Sequence, residues 1–104
     1  GKVLKAIEPE QSSGDKMIFI TLAKFRRKPT KEMCAQSQKL FEQMVKEGAK
    51  IIGAYWTLGR YDAVVITEGN DEKAAMKSAM RFGDLVSTET LVALTREEAI
   101  KLVE

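Results

Sequence analysis

The sequence predicts an α+β fold: one four-stranded antiparallel sheet with two helices against one face, and a short extra helix at the C-terminus. Three observations carry that expectation. Strand-like and helix-like segments follow one another in the order β-α-β-β-α-β, a glycine-centred turn joins the two middle strands, and the strands are apolar on both faces. A chain of 104 residues fits one domain, and a domain that small gains stability by burying further surface in association.

Met17 to Ala23 is apolar and β-branched and runs into a basic, proline-containing segment, so it reads as a strand that needs cover on both sides. Pro29-Thr30 opens a helix. Met33, Ser37, Leu40, Phe41, Met44 and Val45 fall on one stripe of it, and Gly48 suits its C-terminal cap. Ile51 to Leu58 and Ala63 to Glu68 are the middle strands. Between them Leu58-Gly59-Arg60-Tyr61 fits a two-residue type II′ turn, with Gly59 at positive φ. Asn70 or Asp71 caps a second helix reaching about Arg81, with Ala75, Ala79 and Phe82 on one face, Met76 and Met80 beside it, and Gly83 as terminator. Ser87 to Leu94 has the Thr, Val and Leu content of a fourth strand. Thr95-Arg96-Glu97-Glu98 matches a capping box, so a terminal helix holding Ala99, Ile100 and Val103 follows.

That order is the split βαβ pattern of the ferredoxin-like sandwich. Two helices cover one face of such a sheet. Here Phe19, Tyr55, Thr57, Val65 and Leu91, with their neighbours Ile20, Trp56, Val64 and Val92, leave neither face simply polar. An apolar second face asks for a second chain, and the expectation is a homodimer whose sheets face each other and close toward a barrel.

Composition removes several function classes. At 44% hydrophobic and 31% charged residues, with no apolar run near the roughly 18 residues that span a bilayer, a membrane partner is not expected. Gly1 to Lys16 lacks the apolar core of a secretory signal and reads as an N-terminal extension or a remnant of processing, with residues 17–104 as the single domain. The cytoplasm is the expected compartment, and one cysteine, Cys34, agrees with a reducing one. The chain has no histidine. That removes the usual general base near neutral pH and the usual zinc and haem ligand, so neither metal nor cofactor is expected, and any proton transfer falls to Tyr, Asp, Glu, Lys or Cys34.

Met17 to about Val103 resembles the GYD domain family, named for a Gly-x-Tyr-Asp motif. The matching residues are Gly59, Tyr61 and Asp62 within YWTLGRYDAVVI, and the opening MIFITLAKF and the downstream Thr88 to Thr95, TETLVALT, are similar as well. The resemblance implies a dimeric ferredoxin-like α+β barrel, related in shape to small-molecule binding families and to cofactor-free or haem-dependent monooxygenases. It carries no particular activity with it.

The hairpin tip holds the candidate ligand-binding residues. Asp62 either accepts hydrogen bonds from turn amides or pairs with Arg60, while Tyr61 packs its ring on the sheet end; in the functional reading both line the mouth of a cavity. Tyr55 and Trp56 alternate along one strand, so one ring faces each side, in the core, at an interface, or as an aromatic wall for a flat ligand. Glu89, in the middle of the fourth strand, is a surface carboxylate or a pocket carboxylate with Lys24 or Arg60 as partner. Lys24, Arg26, Arg27, Lys28 and Lys31 form a basic run at the first strand-to-helix connection. Such runs are usually solvated, but cations beside a helix N-terminus also suit a phosphate or carboxylate. A net charge of +2 with no accompanying recognition motif argues against nucleic acid. Cys34 and the methionines Met33, Met44, Met76 and Met80 read as packing residues. The leading function is a small-molecule binding or sensing domain acting as a homo-oligomer. A cofactor-free oxygenase or isomerase and a purely structural assembly unit are the alternatives, and catalytic residues are not assigned.

Overall fold

The computed structural model describes residues 16–103, and the N-terminal extension expected over residues 1–16 lies outside them except for Lys16. Four strands, β1 (Met17–Phe25), β2 (Lys50–Trp56), β3 (Ala63–Gly69) and β4 (Val86–Ala93), are joined by α1 (Lys31–Lys46) and α2 (Glu72–Arg81), with α3 (Arg96–Lys101) at the end. The strands form one antiparallel sheet in the order β2-β3-β1-β4. This is the ferredoxin-like arrangement that the element order implied. β1 runs two residues past Ala23, because Lys24 and Phe25 still pair with Ser87 and Val86 of β4.

The helices start where side chains satisfy their free amides. Thr30 Oγ1 accepts from the Met33 N–H at 3.1 Å, and Asp71 Oδ1 accepts from Lys73 and Ala74, each capping one helix. In α3 both bonds of the capping box are present: Glu98 N–H donates to Thr95 Oγ1 at 3.1 Å, and the Glu98 carboxylate accepts from the Thr95 N–H at 3.4 Å. α1 ends at Gly48, whose φ of +103° is the left-handed conformation that closes a helix without a Cβ penalty. Gly83 lacks a positive φ, and α2 ends through its N–H donating to the Met80 carbonyl at 3.2 Å.

Register assigns the faces. Residues directly opposite one another point the same way, so Phe19, Thr21, Ala23 and Phe25 of β1 share a side with Thr67, Val65 and Ala63 of β3 and with Val92, Thr90, Thr88 and Val86 of β4. This side lies under α1 and α2. Phe19, Ala23, Met44 and Ala63 are its buried apolar centre. Ile18, Ile20, Leu22, Val64, Ile66 and Leu91 are on the opposite face together with Lys24, Glu68 and Glu89, and among the described residues neither α1 nor α2 lies on it. Leu91 is 41% exposed there.

Several expected core residues are on the surface instead. Val45 is exposed because it lies about 100° round the helix from Met44, past the edge of the buried stripe. Met76 and Met80 are exposed as well, since α2 turns its small Ala75 and Ala79 toward the sheet and leaves the methionines beside it. Cys34 is exposed rather than packed, and Ile100 and Val103 are exposed as well.

The C-terminal ends of α1 and α2 are tied by a two-pronged ion pair. Arg81 Nη1 and Nη2 each donate to one Glu47 carboxylate oxygen at 2.7 Å, the geometry that makes arginine the specific partner of a carboxylate. Phe41 and Phe82 meet beside it with ring centroids 5.1 Å apart. The Arg81 guanidinium, helped by the Gln43 amide, holds the Glu47 carboxyl down at about 2 from an ordinary 4.5. A carboxyl held low in the folded chain stabilises it above the unfolded value and loses that contribution as pH falls through the folded one. Glu47→Gln is therefore expected to lower the melting temperature near neutral pH, with the gap to the native chain closing between pH 4.5 and about 2. The effect is modest because the pair is partly exposed and screened by salt. Thermal melts across that range check it, and a constant gap would remove the pair as a stabilising link.

Candidate functional site

Asp62 organises the β2–β3 connection through three backbone-directed bonds. Its carbonyl accepts from the Thr57 N–H, its N–H donates to the Ala23 carbonyl, and its Oδ2 accepts from the Phe25 N–H, all at 2.8 Å. The expected two-residue turn is replaced by a wider loop. Trp56 and Ala63 are the last ladder pair, Thr57 Oγ1 donates to the Tyr61 carbonyl at 2.8 Å, and Leu58 to Arg60 bulge outward. Residue 62 pairs sideways with β1, and the loop has to open to let it. Gly59 keeps the positive φ, at +105°. The Asp62 carboxylate bonds neither to turn amides nor to Arg60; it accepts from the Phe25 N–H at the end of β1.

Tyr61, one residue earlier, reaches across β1 on the uncovered face and donates its hydroxyl to Glu89 Oε1 at 2.7 Å. Glu89 is thus partnered by the phenol. The cations expected beside it are engaged elsewhere, with Lys24 Nζ donating to the Arg60 carbonyl at 3.0 Å and the Arg60 guanidinium 5.8 Å from the Tyr61 ring centroid. The hydrogen bond to Glu89, then burial, then the nearby negative charge push the Tyr61 phenol above its ordinary value, with Arg60 opposing. Such a phenol keeps its proton. It donates a fixed hydrogen bond and is a weaker acid than an ordinary tyrosine.

Tyr55 and Trp56 part company, as alternation requires. Tyr55 pairs with Val64 on the uncovered face, and its ring folds back over Gly53, where an added Cβ would lie 2.8 Å from the phenol. Trp56 is on the helix side and meets Phe25 edge-on, with centroids 5.1 Å apart. The candidate residues therefore form two groups. Lys24, Arg60, Tyr61, Asp62 and Glu89 cluster at one end of the open face, with Tyr55 nearby, while Trp56 walls a different space.

That space is a cavity of about 190 Å³ between the sheet, α1 and the segment that follows α2. In-register Ala23 and Ala63 form its floor, and Phe25, Phe41, Trp56 and Phe82 are its aromatic walls. Met33 and Ser37 of α1 and Thr21 and Thr88 of the sheet complete it. Two alanines side by side remove side-chain volume from the hairpin end of the two central strands, and α1 above is held off by aromatic rings. The sequence reading missed this floor. Its signal was the pair of small residues, meaningful only once register puts them together. Among the described residues no cluster of Cys, Asp and Glu suitable for a metal ion occurs, and no helix is long and apolar enough to cross a membrane.

Fold and site together define a class: a ferredoxin-like α+β domain with an apolar cavity under its first helix and a hairpin anchored to its first and last strands. The GYD domain model matches residues 19–103, and the chain belongs to that family. Among solved structures it is similar to LrpC of B. subtilis, with a TM-score of 0.60 and 12% identity over 91% of this chain and 69% of that one. It is also similar to PH0061, with a TM-score of 0.53 and 14% identity over 88% and 66% of the two chains. At such identities the likeness is one of fold. No curated protein matches the chain.

The family motif acquires a physical division of labour: Gly59 makes the turn, Tyr61 reaches β4, and Asp62 holds β1. Asp62→Asn retains an oxygen toward the Phe25 N–H and is expected to lower stability by no more than about 1 kcal/mol, whereas Asp62→Ala leaves that amide unsatisfied and costs about 1–3 kcal/mol. Denaturant titrations of both variants rank them. Equal losses would show that the carboxylate does not hold the hairpin to β1.

Proposed function

We propose that the protein is a small-molecule binding or sensing domain that works as a homo-oligomer and takes an apolar ligand body of single-ring size beneath α1. The cavity floored by Ala23 and Ala63 carries this reading. An apolar protein cavity of about 150 Å³ accepts benzene, and this one offers about 190 Å³ with four aromatic rings around it. Its hydroxyls, from Thr21, Ser37 and Thr88, are placed to orient a guest rather than to react with it. Among the described residues its wall holds no carboxylate, amine, guanidinium or thiol, and the phenol of Tyr55 is folded over Gly53 on the other face. That favours binding without turnover over a cofactor-free oxygenase or isomerase. Tyr61, Asp62 and Glu89 are outside the cavity and support its walls through β1 and β4.

The homo-oligomer reading rests on the face opposite the helices. Ile18, Ile20, Leu22, Val64, Ile66, Leu91 and Tyr55 make a mainly apolar surface there, with Glu68 and Glu89 on the same face, and a second copy presenting the same surface would convert it into a two-sheet core closing toward a barrel. Sedimentation is expected to give a dimer or larger species at micromolar concentration. A well-folded monomer under those conditions would overturn this part of the reading.

The cavity reading is tested with the single tryptophan, which stands in its wall. Benzyl alcohol, a neutral one-ring probe, is expected to change Trp56 fluorescence saturably. Filling the floor with Ala63→Leu, or with the milder Ala63→Val, is expected to abolish or weaken that change while the far-ultraviolet circular dichroism stays that of the native chain. A response that is linear with probe, or unaltered by both substitutions, would rule the cavity out as the site.

A further inference from the structure

The apolar cavity abuts a second hollow of a different character. Met33 and Leu85 line both, and beyond them a space of about 270 Å³ is bounded by Arg27, Lys28, Thr30, Glu32 and Gln36. One side of Met33 and Leu85 is aromatic and uncharged; the other carries two cations against a single carboxylate. The cations of this segment are not equivalent. Lys24 is held by the Arg60 carbonyl, and Arg26 Nε donates to the Gly83 carbonyl at 2.6 Å, so both serve the fold. Among the described residues Arg27 and Lys28 make no ion pair, and both are exposed at the rim of the hollow.

We propose that the two hollows take one amphipathic monoanion, with its apolar body beneath α1 and its carboxylate between Arg27 and Lys28. The inference rests on the binding reading above and names its ligand class. A charged head cannot enter the aromatic cavity without losing its hydration to walls that offer nothing in exchange, so the apolar end goes in and the charge stays at the basic rim. Arginine can meet a carboxylate with two parallel N–H donors, and lysine adds a point charge. The Met33 side chain, unbranched and polarizable, adapts to a chain threaded between the two spaces.

Hydrocinnamate and its amide, hydrocinnamamide, share one body and differ in the head, and both are followed through Trp56. The acid is expected to bind about tenfold or more tightly than the amide at low salt, as a charge-assisted contact requires, and to lose that advantage as salt is added. In the double variant Arg27→Gln, Lys28→Gln the acid is expected to fall to the level of the amide, whose affinity stays as in the native chain. Saturable binding of both probes with equal affinity would overturn the headgroup assignment and leave the cavity reading standing. Binding of neither probe would overturn both. An acid advantage that survives the double variant would place the anion elsewhere and also sink the proposal.

Discussion

The bond from the Phe25 N–H to the Asp62 carboxylate is the constraint on which the rest of this domain's site depends. β1 is a central strand, and its last residues have partners in β4 but reach the end of β3's ladder at Ala23. A side-chain acceptor from the neighbouring hairpin supplies what the backbone of β3 no longer does. Phe25 is thereby held as a strand residue, and its ring is aimed at Trp56. Were the end of β1 free to fray, the aromatic wall of the cavity would fray with it.

From that anchor the hairpin distributes its side chains to different strands. Tyr61 continues past β1 to Glu89 of β4 on one face, and Trp56 returns to Phe25 on the other. Backbone bonds alone would tie β3 to its sheet neighbours β2 and β1. The side chains extend that tie to β4, which the β2–β3 hairpin does not touch through its backbone. A short polar motif at a loop can in this way set the spacing of a sheet end, and with it the width of the space beneath α1.

The cavity and the uncovered face arise from the same shortage. A sheet of four short strands under two helices offers few positions where a side chain is surrounded on all sides, and among the described residues the buried hydrophobic side chains are Phe19, Ala23, Met44 and Ala63. Two of those four are alanines, so the centre contributes little apolar area for its position. The remaining apolar surface is divided between a hollow suited to a guest and a flat face suited to a second copy. Both would bury area that the single chain leaves exposed, which couples occupancy of either to stability.

The sequence by itself determined the elements and their order. Capping residues act within one turn of chain, so Thr30, Asp71 and the Thr95–Glu98 box could be read directly, as could the positive φ of Gly48 and Gly59 and the β-branched run of β1. Local chemistry also placed Tyr55 and Trp56 on opposite faces. What only the tertiary structure decided is every relation between residues far apart in the chain. Asp62 bonds to β1 and not to its own turn, Glu89 takes Tyr61 and not a cation, and Ala23 meets Ala63 to open a floor; each depends on strand register, which a one-residue shift would reverse. The buried and exposed methionines were inseparable by periodicity for a related reason. Met44 on one helix's apolar stripe and Met80 beside the other's both read as packing residues, and which one is covered depends on how each helix is rolled against the sheet, a choice made by the size of the side chains across the contact.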